Sequence, residues 1–198
     1  MMPRLRVSHL TIAAAVALLT AAVPRPAERM TLANGSRLWF DGTSTVRAWT
    51  CTAEQIESKI DAETGMSDAV LDGRKVAGSL EVTFPVEKLE CRNGTMNEHM
   101  RKALVATKYP EITFTLSGYN LMKGTPVSGT VQGTLTMTGQ THPIAVPVQF
   151  ARADGALRVT GKVPVKMTEW GVQPPRLMLG TLKVGDAVTV QFDLLLQH

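Results

Sequence analysis

GTVQGTLTMTGQTHPIAVPVQFARADGALRVTGKVPVK, residues 129–166, is the stretch that decides the fold. Val131, Leu135 and Met137 alternate with Gln132, Thr134, Thr136 and Thr138. Ile144, Val146, Val148 and Phe150 repeat the rhythm, and Leu157, Val159, Val163, Val165 and Met167 repeat it against Arg158, Thr160, Lys162 and Lys166. A period of two places one side chain in the core and the next in solvent, which is the mark of a strand. Gly139-Gln140 and Asp154-Gly155 fall between these runs, and the second is a hairpin signal. Joins this short allow only antiparallel neighbours, because a parallel pair needs a crossover of a dozen residues or more.

The same rhythm extends outward in both directions. Leu80, Val82, Phe84 and Val86 form one set, Ile112, Phe114 and Leu116 another, and Val188, Val190, Phe192 and Leu194 close the chain. Leu38–Asp41 and Thr45–Thr52 read as two further strands on either side of Gly42, with turns expected at Asp72-Gly73 and Gly185-Asp186. About eight antiparallel strands with one apolar face make a sandwich or a closed barrel. All five phenylalanines (Phe40, Phe84, Phe114, Phe150 and Phe192) lie on the apolar phase and share one interior. That interior is either a packed core or a lined cavity, and periodicity alone does not separate the two.

One helix interrupts the strands. Thr95-Met96-Asn97-Glu98 has the form of a capping box, with Thr95 as N-cap, and Pro110 stops the segment. Met96, Met100, Ala103, Leu104 and Thr107 share one face, so the helix is short and amphipathic. It plugs one end of the barrel or lids an apolar tunnel, and methionines suit either role because they adapt to what they touch.

The first residues read as an address. Arg4 and Arg6 precede the uncharged run Leu10–Val23, Thr20 and Ala22 stand at −3 and −1 of a cut after Ala22, and Pro24 and Pro26 end the segment. Residues 1–22 are therefore expected to be a cleaved signal peptide, delivering a periplasmic or secreted domain over 31–198. In an oxidising compartment Cys51 and Cys91 are most simply one disulfide, since the C-x-x-C spacing of a redox pair is absent.

Composition narrows the function. The chain has 198 residues, 44% apolar and 19% charged, enough for one soluble domain. Its net charge of +4 falls to +2 without residues 1–22, leaving 19 basic against 17 acidic groups, so no nucleic-acid partner is expected. His99, His142 and His198 stand in no metal-binding spacing, and there is no G-x-S-x-G elbow, P-loop or dinucleotide fingerprint. No metal, no catalytic residue and no cofactor beyond a bound lipid is expected.

Four blocks in order resemble the YceI-like, or polyisoprenoid-binding, periplasmic proteins of bacteria. They are FDGTSTVRAWTC (Phe40–Cys51), FPVEKLECRNGTMNEHMRKALVATKYPEITF (Phe84–Phe114), LTMTGQTHPIAVPV (Leu135–Val148) and MTEWGVQPPRLMLGTLKVGDAVTVQF (Met167–Phe192). The resemblance implies an all-β, lipocalin-like antiparallel barrel of eight strands with one short amphipathic helix. It also implies a long isoprenoid, polyprenyl or quinone-type, held in an apolar tunnel; transient membrane contact is compatible with such a carrier. Strand phase nominates Phe40, Phe84, Phe114, Met137 and Phe150 as ligand-binding residues, the helix face adds Met96, Met100 and Leu104, and Trp170 is added from its place in the loop block before Pro174-Pro175, with Arg101, Lys108 or Tyr109 meeting a polar head. Two other readings remain open here. An enzyme acting on a lipid or quinone head group needs ionisable groups converging on the cavity. A structural or interaction module needs a collapsed interior and an exposed apolar patch.

Overall fold

The computed structural model describes residues 27–198. The expected signal peptide, 1–22, lies outside the described residues. The strands are β1 (Ala27–Leu32), β2 (Arg37–Ser44), β3 (Ala48–Ala53), β4 (Glu57–Glu63), β5 (Gly78–Pro85), β6 (Leu89–Glu90), β7 (Glu111–Met122), β8 (Val127–Met137), β9 (Gln140–Ala153), β10 (Ala156–Lys166), β11 (Arg176–Leu177) and β12 (Leu182–Gln197). Two α-helices join them, α1 (Met66–Leu71) and α2 (Gly94–Ala103).

The pairing closes on itself. β1, β4, β5, β7, β8, β9, β10 and β12 form an eight-stranded antiparallel barrel, with β12 returning to β1 through Thr31↔Gln197 and Leu32↔Leu196. β2, β3 and β6 carry the walls further at one end. β2 continues β1 along β12 (Arg37↔Asp193, Phe40↔Val190), β3 pairs with β2, and β6 pairs with β3. The first strand begins at Ala27, ahead of residue 31.

The hairpin signals hold with one adjustment. Asp154 and Gly155 both take positive φ, 49° and 80°, the geometry of a tight hairpin turn. Its counterpart is centred on Thr138-Gly139 (φ 49° and 75°), one residue before the expected Gly139-Gln140. Gly185-Asp186 is not a turn. It lies inside β12 at a bulge between Val184 and Val188, where the Asp186 carboxylate accepts from Thr168 N (2.9 Å) and Oγ1 (2.8 Å). A second bulge, between Leu116 and Gly118 of β7, passes the inward phase from Phe114 to Leu121.

Glycines shape the wall. Gly42, Gly133 and Gly161 sit under the rings of Trp49, Phe114 and Phe192, each on a neighbouring strand. With no Cβ in the way, these rings lie flat against the barrel instead of crossing it.

The ends differ. Helix α1, absent from the sequence reading, covers one end with Ala69 and Val70 buried, and Asp68 pairs with Arg152 of β9. Helix α2 stands at the other. Its N-cap is Asn93, whose side chain accepts from Met96 N at 2.9 Å, so Thr95 lies inside the first turn and not before it. The helix also ends before Pro110. Val105 turns left-handed (φ 50°), and Ala106 N donates to Arg101 O at 3.0 Å, closing the C-terminus between buried Leu104 and Ala106.

Candidate functional site

The barrel is hollow. A cavity of about 610 Å³ runs through it, inside the ~300–1,000 Å³ range of pockets that enclose small-molecule ligands. β12 alone lines it from Leu182 to Leu196, so the space follows most of the barrel's length. The polar residues bordering it are Ser44, Arg47, Asn93, Thr95 and His99, and everything else on its wall is apolar. Those five lie at the β2–β3 turn and on the N-terminal half of α2. One end of the cavity is therefore its mouth, and the remainder is hydrocarbon.

Helix α2 forms part of this wall. Met96, His99, Met100, Ala103 and Leu104 border the cavity, at the spacing of one helical face. Its other flank is fastened down. Asn97 is buried, accepts from Cys91 N at 2.7 Å, and donates to both carboxylate oxygens of Glu90, each at 2.7 Å. The Asn97 amide, more than any other group, holds the Glu90 carboxyl below its usual range. The disulfide Cys51–Cys91 ties the helix start to β3, and both cysteines border the cavity. Cys91 Sγ also lies 3.7 Å from Met100 Sδ.

Seven of the nine residues nominated from the sequence border the cavity: Phe40, Phe84, Met96, Met100, Leu104, Phe114 and Met137. Two do not. Phe150 sits in the packed core at the end of β9 nearest α1, opposite Val127 and Val159. It shares the inward phase, but neighbours fill the space before it. Trp170 is 4% exposed and turned against the β8–β9 hairpin. Its indole Nε1 donates to Leu135 O at 3.0 Å, its ring meets His142 edge to face at 5.4 Å, and its carbonyl accepts from Thr138. The short helical turn 167–170 sends Met167 to the cavity instead.

The residues expected at a polar head are engaged elsewhere. Arg101 NH2 donates to Glu87 O at 3.1 Å, and its Nε lies 3.1 Å from Glu87 Oε2 at an angle that makes an ion pair and not a hydrogen bond. Lys108 lies 5.0 Å over the Tyr109 ring, which packs against Gly139. His99 is half-buried at the mouth. No carboxylate lines the cavity, and no group of three or more His, Cys, Asp or Glu able to hold a metal occurs among the described residues.

The YceI-like domain family matches residues 33–196, nearly the whole barrel. The chain belongs to the YceI-like family. Among solved structures, this YceI-like barrel is similar to BcnA of Burkholderia cenocepacia, at 20% identity and a TM-score of 0.67, covering 82% of this chain and 96% of that one. It is also similar to a polyisoprenoid-binding domain from Saccharophagus degradans implicated in plant cell wall breakdown (16% identity, TM-score 0.61, 85% and 97% covered). A YceI protein of Campylobacter jejuni aligns at 18% identity and a TM-score of 0.57, with 73% and 82% covered. Comparison with curated proteins finds no match. At these identities the likeness to the solved structures concerns the YceI-like fold.

Proposed function

We propose that the protein binds and carries a long apolar lipid, an isoprenoid of the polyprenyl or quinone type, outside the reducing cytosol. The observation that carries this reading is the cavity: about 610 Å³, apolar along its length and polar only at its mouth. Water in such a space makes few hydrogen bonds, whereas a hydrocarbon tail gains by entering. A twenty-carbon tail would gain about 16 kcal/mol gross at ~0.8 kcal/mol per carbon. Lost freedom on association takes back ~4–15 kcal/mol, which leaves room for a bound state that can still be unloaded. The head would stay with the polar groups at the mouth.

Three further observations support it. The disulfide suits an oxidising compartment such as the periplasm. The polyisoprenoid-binding domain from Saccharophagus degradans has the same fold. An interior this open is not the collapsed core of a module that only packs, and among the described residues Arg47 and His99 are the ionisable side chains that line it, with no carboxylate beside them.

The test is Met100→Asp. A carboxylate on the cavity face of α2 should abolish retention of a prenyl lipid while the β-rich far-ultraviolet spectrum stays intact. A folded variant with unchanged lipid content refutes the assignment.

A further inference from the structure

Three segments frame the mouth: 43–49, 91–97 and 171–185. Together they hold four basic residues (Arg47, Arg92, Arg176 and Lys183) and no acidic one, and Glu98, beside His99, is the one carboxylate that follows directly on α2. The segments are neighbours. Thr45 N donates to Lys183 O at 3.0 Å and Thr45 Oγ1 to Thr181 O at 3.0 Å, Arg176 pairs with Lys183 across β11 and β12, and Arg47 and Arg92 line one shallow recess beside Trp49. All four cations are exposed, and none forms a salt bridge with a carboxylate among the described residues. Elsewhere among the described residues each arginine (Arg29, Arg37, Arg74, Arg101, Arg152 and Arg158) pairs with a carboxylate.

The same rim displays aliphatic side chains. Val46, at the tip of the β2–β3 turn, is 71% exposed, and Leu179, at the tip of the β11–β12 turn, is fully exposed. Leu179 also has φ 55°, a left-handed conformation that a branched side chain adopts at a cost. A leucine placed against both solvation and backbone preference needs an environment that rewards it. On the inner side of the same hairpin, Leu177 and Leu182 face the cavity, so tip and lumen form one apolar path.

We infer that this rim is a docking surface for an anionic lipid bilayer, with Val46 and Leu179 entering the interface and Arg47, Arg92, Arg176 and Lys183 meeting the head groups. Amphipathic rims of this composition bind membranes by adding buried apolar area to attraction for anionic lipid. Docked so, the mouth opens directly onto the acyl region, and a tail reaches the cavity without crossing water. The inference builds on the carrier reading by supplying its loading step.

The test uses an environment-sensitive fluorophore on Thr181→Cys, the only free thiol beside the disulfide, which reports the rim and not the apolar stretch Leu10–Val23. Vesicles of phosphatidylcholine with 30% phosphatidylglycerol should shift its emission to the blue, and vesicles of phosphatidylcholine alone should not. Leu179→Asp should abolish the shift. Each neutralised cation (Arg47→Gln, Arg92→Gln, Arg176→Gln or Lys183→Gln) should weaken partitioning about fivefold, less so at high salt. Neutralising Lys75 and Lys123 at the opposite end should leave it unchanged. No shift with either vesicle, equal shifts with both, or indifference to the rim variants overturns the docking surface, as does rim-dependent binding of a soluble protein with no response to vesicles. Solvent extraction of the same samples keeps the two proposals apart. A chain that carries lipid and ignores vesicles refutes docking alone, whereas a chain that docks and never holds lipid refutes the carrier alone.

Discussion

Replacing Gly161 by alanine should narrow the cavity without unfolding the barrel. A methyl at this position would stand 2.8 and 2.9 Å from Cε1 and Cε2 of Phe192 and closer still to Cζ. Carbon atoms at rest sit ~3.5–4.0 Å apart, so the ring must retreat by roughly 1 Å. The three atoms nearest the methyl all belong to that ring, and Phe192 borders the cavity, so the retreat is into the lumen. In the empty barrel the ring has somewhere to go, and the cost should stay below ~1 kcal/mol, less than the ~1–3 kcal/mol of overpacking a filled core. In the loaded barrel the ring takes space from the guest. Exclusion of two ligand carbons is worth about 1.6 kcal/mol, or roughly fifteenfold in affinity. The assay is displacement of a fluorescent apolar dye by a C20 prenyl alcohol, run beside thermal unfolding. Unchanged affinity would show that the guest does not lie against this wall. A loss of several kcal/mol in stability would show that the ring had no free space behind it. Gly133 makes the contrast, because a methyl there also strikes the backbone carbonyl of Thr115, so Gly133→Ala should cost stability first.

The remaining predictions concern the elements that hold the site. The disulfide joins residues 40 apart in sequence, so its removal by Cys51→Ala with Cys91→Ala should cost about 4 kcal/mol, read as a Tm roughly 8–16 °C lower by calorimetry, with faster release of ligand. Asn97→Ala leaves Cys91 N and the Glu90 carboxylate without their buried partner and should destabilise by ~1–3 kcal/mol in denaturant titration. Arg158 binds Asp193 through Nε (2.7 Å) and NH2, with Arg37 on its other side at 3.4 Å, and this lowers the Asp193 carboxyl from its usual range, Arg158 first and Arg37 after it. A lowered pKa means that the pair's stabilisation is present above the unfolded carboxyl value, about 4, and is lost as pH falls through the native one. Asp193→Asn should therefore flatten the acid limb of the stability–pH curve below about pH 4, and an unchanged limb would show that the pair is not what titrates.

The strands were legible because the wall has two chemistries. Val, Ile and Phe face inward while Thr, Lys and Arg face outward along β8, β9 and β10, so alternation is clean there. β1 and β4 escaped notice because AERMTL and ESKIDAE bring few large side chains to the interior, chiefly Met30 and Ile60. The helix start slipped because Asn93 and Thr95 are both good caps two residues apart, and only the coordinates show which oxygen meets Met96 N. That the barrel is hollow was not written in the phase. Phe114 and Phe150 share the inward set, yet one borders the cavity and the other fills the floor. One feature of the sequence does point to a hollow. Val131-Gly133-Leu135 and Val159-Gly161-Val163 put glycine at an inward position, where a filled core would want bulk. The site's polar parts were hidden for another reason. Asn97 and His99 look like solvated helix residues until the disulfide and β6 bring the wall to them.

The central claim is that the barrel encloses a lipid, and native mass spectrometry of the folded protein, followed by solvent extraction of the same preparation, tests it most directly. The account predicts one added mass per chain, released by organic solvent and identified as a prenyl lipid. Repeated isolation of the folded protein at its bare mass, with nothing apolar in the extract, would contradict it.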